Sequence, residues 1–310
     1  MIIVFGSINM DLSIKVKRLP EEGETVLSPS YIMAPGGKGA NQAMAAARAG
    51  AKTAIIGKIG DDGAGVRILQ HLKRNEVITS GVAISEDYPT GMAMVAKEAG
   101  AKKRTILASG ANAEVNAEQA PEDIFHDKNL LLVQMEVPME QNAIVMKNAK
   151  NKGAKVIMNL APALTVPKNL LSLVDYLIVN QIEARQLAQK LKINIDDDST
   201  KLAQALAKEG KLTCIVTLGP EGIVAINPDG TGLKIPSMEI ENVVDTTGAG
   251  DCFCGTFAAC IHEGQNLNTA LRMATVASGL SCRYEGAQES YPYLADIEEA
   301  MEGFPQATEI

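Results

Sequence analysis

Apolar and polar residues along the chain fall into three patterns. Residues 2–8, IIVFGSI, are a continuous apolar run ending in Gly-Ser, which predicts a strand buried on both faces of a parallel sheet. Directly after it, Leu12, Ile14 and Val16 alternate with Asp11, Ser13, Lys15 and Lys17, the signature of a half-exposed strand. Residues 31–33 and 81–107 read the same way. Segments 10–35 and 81–108 are therefore expected to build one small lid sheet. Between them, 53–59 predicts a core strand and 64–75 a helix. From about residue 116 the third pattern takes over. Apolar strand candidates at 130–134, 155–160, 176–180 and 213–218 alternate with helix candidates at 139–151, 182–192 and 200–209. Such alternation builds a parallel sheet covered by helices on both faces. A hairpin around 227–230, helices over 249–263 and 267–283, and a last helix through Glu302 follow. The polar tail after Phe304 reads as frayed. The expected fold class is α/β, a three-layer sandwich with a mainly parallel central sheet and a β lid, as one unit over 1–310.

Two glycine-rich segments open helices. In DTTGAGDCFCG (245–255), Gly248, Ala249 and Gly250 lead into Asp251, and Cys252/Phe253, Thr256/Phe257 and Cys260/Ile261 then mark one helix face. Helix N-termini carry unpaired N–H groups and partial positive charge, so they collect anions. A carboxylate there is either an ordinary cap residue or a base beside an anion hole. In APGGKGANQAMAAARAG (34–50), Gly36, Gly37 and Gly39 surround Lys38, and helix formers run from Ala40 to a stop at Gly50. Neither segment is a Walker A loop or a dinucleotide fingerprint: the required glycines fall on Ile32 and Phe253.

Polar residues at strand ends, Glu136, Asn159, Asn180 and Thr217, lie where open α/β sheets bind ligands, although each is equally a turn or cap residue. Asn9 and Asp11, two apart on one strand, point the same way. With Asn41 and Glu136 they form an amide–carboxylate set that rejects ligands lacking hydroxyls. Asn180 and Glu183, spaced N-x-x-E, suit hydrated Mg²⁺, which takes few protein ligands. A base, an anion hole, a metal-ready carboxylate and a water-excluding lid are the parts that phosphoryl transfer needs.

Composition narrows the field. A net charge of −8, no tryptophan and no basic cluster beyond Lys102, Lys103 and Arg104, which reads as a solvated turn, argue against a nucleic-acid surface. No segment approaches the roughly 20 apolar residues of a membrane span, and MIIVFGSINMDL, with no charged n-region and too short an apolar run, does not read as a signal peptide. Five cysteines, an odd number without a C-x-x-C pair, suggest reduced thiols and a cytoplasmic location. His71, His126 and His262 share no ligand spacing.

GSINMD (6–11), GGKGANQA (36–43), MEVP (135–138), TLG (217–219), DTTGAGD (245–251) and GAQ-x-S (286–290) together match one pattern. The sequence resembles the ribokinase-like (phosphofructokinase-B type) sugar kinases along nearly its whole length. That resemblance implies ATP-dependent phosphorylation of ribose at its 5-hydroxyl. By position it implies that Asn9, Asp11, Gly37, Lys38, Asn41 and Glu136 hold the sugar and that Asp251 is the base. Gly248, Ala249 and Gly250 would form the anion hole. Asn180, Thr217, Gly219, Gly222, Gly250 and Thr275 would line ATP, with Glu183 acting on Mg²⁺ through water. A K⁺ ion beside the anion hole would be held by Asp245, Thr247, Ser281, Tyr284, Gly286 and Ser290, mostly through carbonyls. The lid would pair two copies in a homodimer. The chain departs from the family at Leu160, Gln181 and Thr275. Competing readings are a kinase for deoxyribose, fructose or a nucleoside, and a non-catalytic sugar or nucleotide sensor. The intact Asp251, Gly248 and Glu183 disfavour the sensor.

Overall fold

A computed structural model describes residues 1–98, 103–164, 166–193 and 198–310. The chain begins β1 (Ile2–Phe5), β2 (Asn9–Val16), β3 (Tyr31–Gly36), α1 (Lys38–Arg48), β4 (Thr53–Gly60), α2 (Gly63–Arg74), β5 (Ile78–Ser85), β6 (Gly91–Glu98) and β7 (Lys103–Ala108). It continues β8 (Leu130–Val133), α3 (Met139–Asn151), β9 (Lys155–Asn159), the short α4 (Lys168–Leu171), β10 (Tyr176–Asn180), α5 (Gln181–Lys190), α6 (Ser199–Gly210) and β11 (Thr213–Thr217). The end holds β12 (Ile223–Ile226), β13 (Gly232–Ile235), α7 (Ala249–His262), α8 (Leu267–Ser281), α9 (Leu294–Met301) and β14 (Thr308–Glu309).

Among the described residues, ten strands form the main sheet, in the order β14-β13-β12-β11-β10-β9-β8-β1-β4-β5. It is parallel from β5 to β11 and antiparallel beyond. All four residues of β1 are buried, as a strand flanked on both edges and covered on both faces requires. The apolar residues divide into two cores, one per face. On one side lie the buried faces of α1, α7 and α8. On the other lie those of α3, α5 and α6. The second sheet, β3-β2-β6-β7, is the lid, with β2 parallel to β6 and the outer pairs antiparallel.

Three expectations are corrected. Residues 81–85 do not join the lid: they belong to β5, which pairs with β4 at the edge of the main sheet. An edge strand with one face open alternates just as a lid strand does, so the two look alike in sequence. The lid's second piece therefore starts at Gly91. Nor is the tail frayed. Thr308 and Glu309 pair with β13, and Gly232 and Ile310 exchange backbone bonds of 2.9 and 3.0 Å. The open edge of β13 supplies partners that the polar side chains do not advertise. Lastly, Lys103 and Arg104 open β7 rather than a turn, while Lys102 lies outside the described residues.

One packing contact sets the site. A Cβ on Gly255 would lie 2.3 Å from the Gln42 carbonyl and 2.6 Å from the Ala45 side chain. Only glycine lets α7 approach α1 this closely. That approach brings the first turn of α7 against Asn41 and Gln42.

Candidate active site

Asp251 is the third residue of α7 and is buried, only 7% exposed. The helix begins at Gly248, whose φ of 78° is left-handed and natural only to glycine. The Tyr291 hydroxyl donates to the Gly248 carbonyl at 3.0 Å and holds that turn. The positive end of α7 attracts negative charge to its first turn. Two amides fix it further: Asn41 Nδ2 donates to Asp251 Oδ2 and Gln42 Nε2 to Oδ1, each at 3.0 Å. Both amides are themselves held. Gln288 Nε2 donates to Asn41 Oδ1 at 2.9 Å, Gln134 Nε2 to Gln42 Oε1 at 2.7 Å, and Gln42 Nε2 also to Asn159 Oδ1 at 3.0 Å. A buried network of this kind fixes one carboxylate orientation. The Lys38 ammonium lies 4.0 Å from Asp251 Oδ1. Asp251 pushes it above its ordinary value against the effect of burial, with Glu136 and Glu183 adding to the push.

A second set surrounds the start of α1. Ser7 Oγ donates to Glu136 Oε2 at 2.6 Å, and the Lys38 N–H reaches the same oxygen at 3.4 Å. Asn9, on β2, accepts from Asn112 Nδ2 at 2.7 Å. Asp11 lies two residues along the same strand and is pushed up to about 7. Burial is the main cause; the charges of Glu136, Asp251 and Glu289 add to it, against Lys38. Burial likewise raises Glu136, opposed by Lys38 and Ser7. Two buried acceptors here, Asp11 Oδ1 and Gln288 Oε1, have no donor among the described residues. A site with surplus carboxylates and orphaned acceptors calls for a ligand rich in hydroxyl donors.

On the other side of the α7 turn opens a cavity of about 540 Å³. Thr217, Gly219, Gly222, Ala249, Gly250 and Thr275 line it, together with Met238, Val243 and Phe253. Thr275 Oγ1 donates to the Leu271 carbonyl of its own helix at 2.8 Å, so its hydroxyl is already engaged. A smaller cavity of about 140 Å³ shares Thr217 and Gly250 with the first and reaches Asp251, Lys38, Gly248, Asn180 and Glu183. It joins the large cavity to the carboxylate. Asn180 and Glu183 cap α5 reciprocally: the Glu183 N–H donates to Asn180 Oδ1 at 2.9 Å and the Asn180 N–H to Glu183 Oε2 at 2.8 Å. Burial raises Glu183, opposed by the Asn180 N–H and Lys38.

The one carboxylate expected to hold K⁺ does not fit a free ion as it stands. Asp245 Oδ1 accepts from the Thr247 N–H (3.0 Å) and hydroxyl (2.7 Å). Its Oδ2 accepts from the Gly286 N–H (3.3 Å) and from the Lys97 ammonium at 2.8 Å. Burial pushes Asp245 up, but these four donors outweigh it and hold it at about 2. The hydroxyls of Ser281 and Ser290 donate to carbonyls of their own turns, Ser278 and Ala287, at 2.7 Å. Tyr284 is exposed.

Comparison with known proteins places this geometry. The model of the pfkB family carbohydrate kinases matches residues 1–294. The chain belongs to that family. It is 37% identical to the ribokinase of Lactococcus lactis over 298 residues, covering 95% of this chain and 94% of that one. The ribokinase structure from Thermotoga maritima superposes with a TM-score of 0.89 at 30% identity, over 97% of this chain and 99% of that one. Arabidopsis thaliana ribokinase complexed with ribose and ATP superposes at 0.86 with 29% identity, over 97% and 98%.

Within this pfkB kinase, pattern reading missed Ser7, Gln42, Asn112, Gln134 and Gln288. Ser7, Gln42 and Gln288 stand inside the segments that carry the family likeness, which was the usable signal. Asn112 sits in the short turn after β7, and nothing local marks it. Its contacts with the Ile8 N–H (2.8 Å) and with Asn9 are purely tertiary.

Proposed function

We propose that the chain transfers the γ-phosphoryl group of ATP to the 5-hydroxyl of ribose, giving ribose 5-phosphate and ADP. One observation carries this reading: a buried carboxylate, Asp251, stands at a helix N-terminus between a hydroxyl-seeking polar cluster and a cavity of nucleotide size. The ribokinases among its relatives support the choice of sugar. The sugar lies against Asn9, Asp11, Gly37, Lys38, Asn41 and Glu136, and its hydroxyls supply donors to Asp11 Oδ1 and Gln288 Oε1. Asp251 accepts the proton of the attacking hydroxyl as its oxygen bonds to the γ-phosphorus. The bond from phosphorus to the β,γ-bridging oxygen breaks, and its electron pair leaves with ADP. The N–H groups of Gly248, Ala249 and Gly250 face the charge that spreads over the equatorial oxygens, that of Ala249 giving up its 3.3 Å bond to the Thr246 carbonyl. ATP occupies the large cavity along Thr217, Gly219, Gly222 and Thr275, with Asn180 at its phosphate end.

Glu183 suits Mg²⁺ held through water: it is a hard oxygen donor on the small cavity, with Oε2 tied to the Asn180 N–H. A bound Mg²⁺ would neutralise phosphate charge. Monovalent K⁺ is left out of the mechanism, because Lys97 already occupies Asp245. Five free cysteines suit a reducing cytoplasm. The exposed lid residues Tyr31, Ile32, Met94 and Ile106 suit a homodimer formed through the lid. Among the described residues no helix is long and apolar enough to cross a membrane.

ADP release against a panel of ribose, deoxyribose, fructose and nucleosides tests the reading. Ribose is expected to give the highest kcat/KM; preference for a nucleoside would overturn it.

A further inference from the structure

We infer that the Lys97 ammonium is a tethered counter-cation for Asp245, delivered by the lid, and that it replaces a free monovalent ion beside the anion hole. The inference rests on the kinase reading for its consequence, though not for its geometry. Asp245 has two carboxylate oxygens, each with two acceptor positions. All four are filled: Thr247 N–H and O–H on Oδ1, Gly286 N–H and Lys97 Nζ on Oδ2. Lys97 is the one charged donor among them. A bound ion could reach the carboxylate only by displacing it. The pair is largely shielded, with side-chain exposures of 28% for Lys97 and 13% for Asp245. Screening by solvent and salt is correspondingly weak.

The lysine comes from far along the chain. It stands on β6, where the register sets it opposite Lys15 of β2. Lys15 in turn reaches Glu285, the neighbour of Gly286, at 2.7 Å. Two adjacent lid strands thus place two ammonium groups on one pair of loops. The Lys15 pair is exposed on both sides and contributes little. The Lys97 pair is the one that counts. Asp245 precedes the turn of Gly248 by three residues, and Thr246 and Ala249 line the nucleotide cavity. An uncompensated carboxylate there would repel the transferring phosphoryl group. Lys97 cancels it while touching no reacting atom, so it is a positioning residue. Because it rides on the lid, the compensation is complete only when the lid is docked.

The test compares the wild type, Lys97→Met, Lys97→Arg and Lys15→Met in choline, sodium and potassium chloride at equal ionic strength. The readouts are melting temperature, thallium-205 NMR with Tl⁺ as the probe, and ribose-dependent ADP release. The wild type is expected to show the same melting temperature and rate in all three salts and no saturable Tl⁺ signal. Lys97→Met should lose at least about tenfold in kcat in choline with little change in the KM for ribose. Potassium, and not sodium, should restore most of it, and Tl⁺ should now bind saturably. Lys97→Arg and Lys15→Met should behave as the wild type does. Saturable Tl⁺ binding with a potassium-specific rise in melting temperature in the wild type would overturn the inference, and that arm decides even where Lys97→Met does not fold. So would a folded Lys97→Met that ignores potassium in every readout. An enzyme inactive on ribose in every salt would sink the kinase reading, while the Tl⁺ and melting arms would still decide the role of Lys97.

Discussion

The two sides of the active site are made of different material. Around Asp251, Asn41, Glu136, Asn9 and Asp11 the wall is side-chain polar groups, buried or half-buried and, Asp11 apart, held by hydrogen bonds from neighbouring side chains. Around Gly219, Gly222 and Gly250 it is backbone and apolar surface, with few fixed donors. The difference has a physical consequence. A buried side-chain network punishes any ligand that leaves its acceptors unpaired, so it discriminates sharply between sugars. A surface of glycine backbone and apolar atoms discriminates mainly by shape, so it should tolerate single changes. Mutations on the two sides should therefore differ in size and in the parameter they move.

Asp251→Asn should have the largest effect. It keeps the shape but removes the proton acceptor and turns its own Nδ2 toward one of the two amide donors, so kcat should fall by about 10²–10⁴ while ribose binding by calorimetry persists. Next in size is Gly248→Ala. The added Cβ would lie 2.5 Å from the Tyr291 hydroxyl and 2.7 Å from the Ala287 side chain, at a φ unnatural to alanine. Shifting the N–H groups of the turn should lower kcat about 10²-fold, the range seen when one oxyanion donor is lost.

Asp11→Ala should raise the KM for ribose about 10- to 100-fold and leave that for ATP unchanged, as expected for losing a charged hydrogen-bond partner. Asp11 also makes a pH prediction. Its folded value of about 7 lies above the 3.8 of an unfolded aspartate. The native state therefore holds a proton that the unfolded chain releases, and ligand-free stability falls as pH rises from about 4 to 7. Denaturant titrations should show Asp11→Asn losing less than the wild type over that window, by on the order of 3 kcal/mol. Thr275→Val, on the other side, should change the KM for ATP by about twofold or less, because its hydroxyl is bonded to Leu271 and not turned to the cavity. A large effect at Thr275, or none at Asp11, would erase the contrast between the two sides.

These contrasts were unequally legible in the sequence. Glycine segments that start helices are local features, and both Gly248–Asp251 and Gly37–Lys38 declare themselves. The parallel sheet is legible because strands flanked on both edges, such as β1 and β8, must be continuously apolar. Edges are not. β5 alternates like a lid strand, and β14 is recruited by the open backbone of β13. The amides that aim Asp251 are illegible for a related reason: Gln42 reads as one more helix former, and only the approach allowed by Gly255 brings Asp251 to it. Lys97 looks like any solvent-facing lysine on an alternating strand. Its meaning depends on Asp245, which tertiary structure alone brings to it.

The most direct test of the central claim is the product itself. Wild-type protein incubated with ribose, ATP and Mg²⁺ should yield a sugar phosphate whose ³¹P NMR signal is split by the two protons on C5. A signal coupled to the anomeric proton, or ADP formed with no phosphorylated ribose, would contradict it.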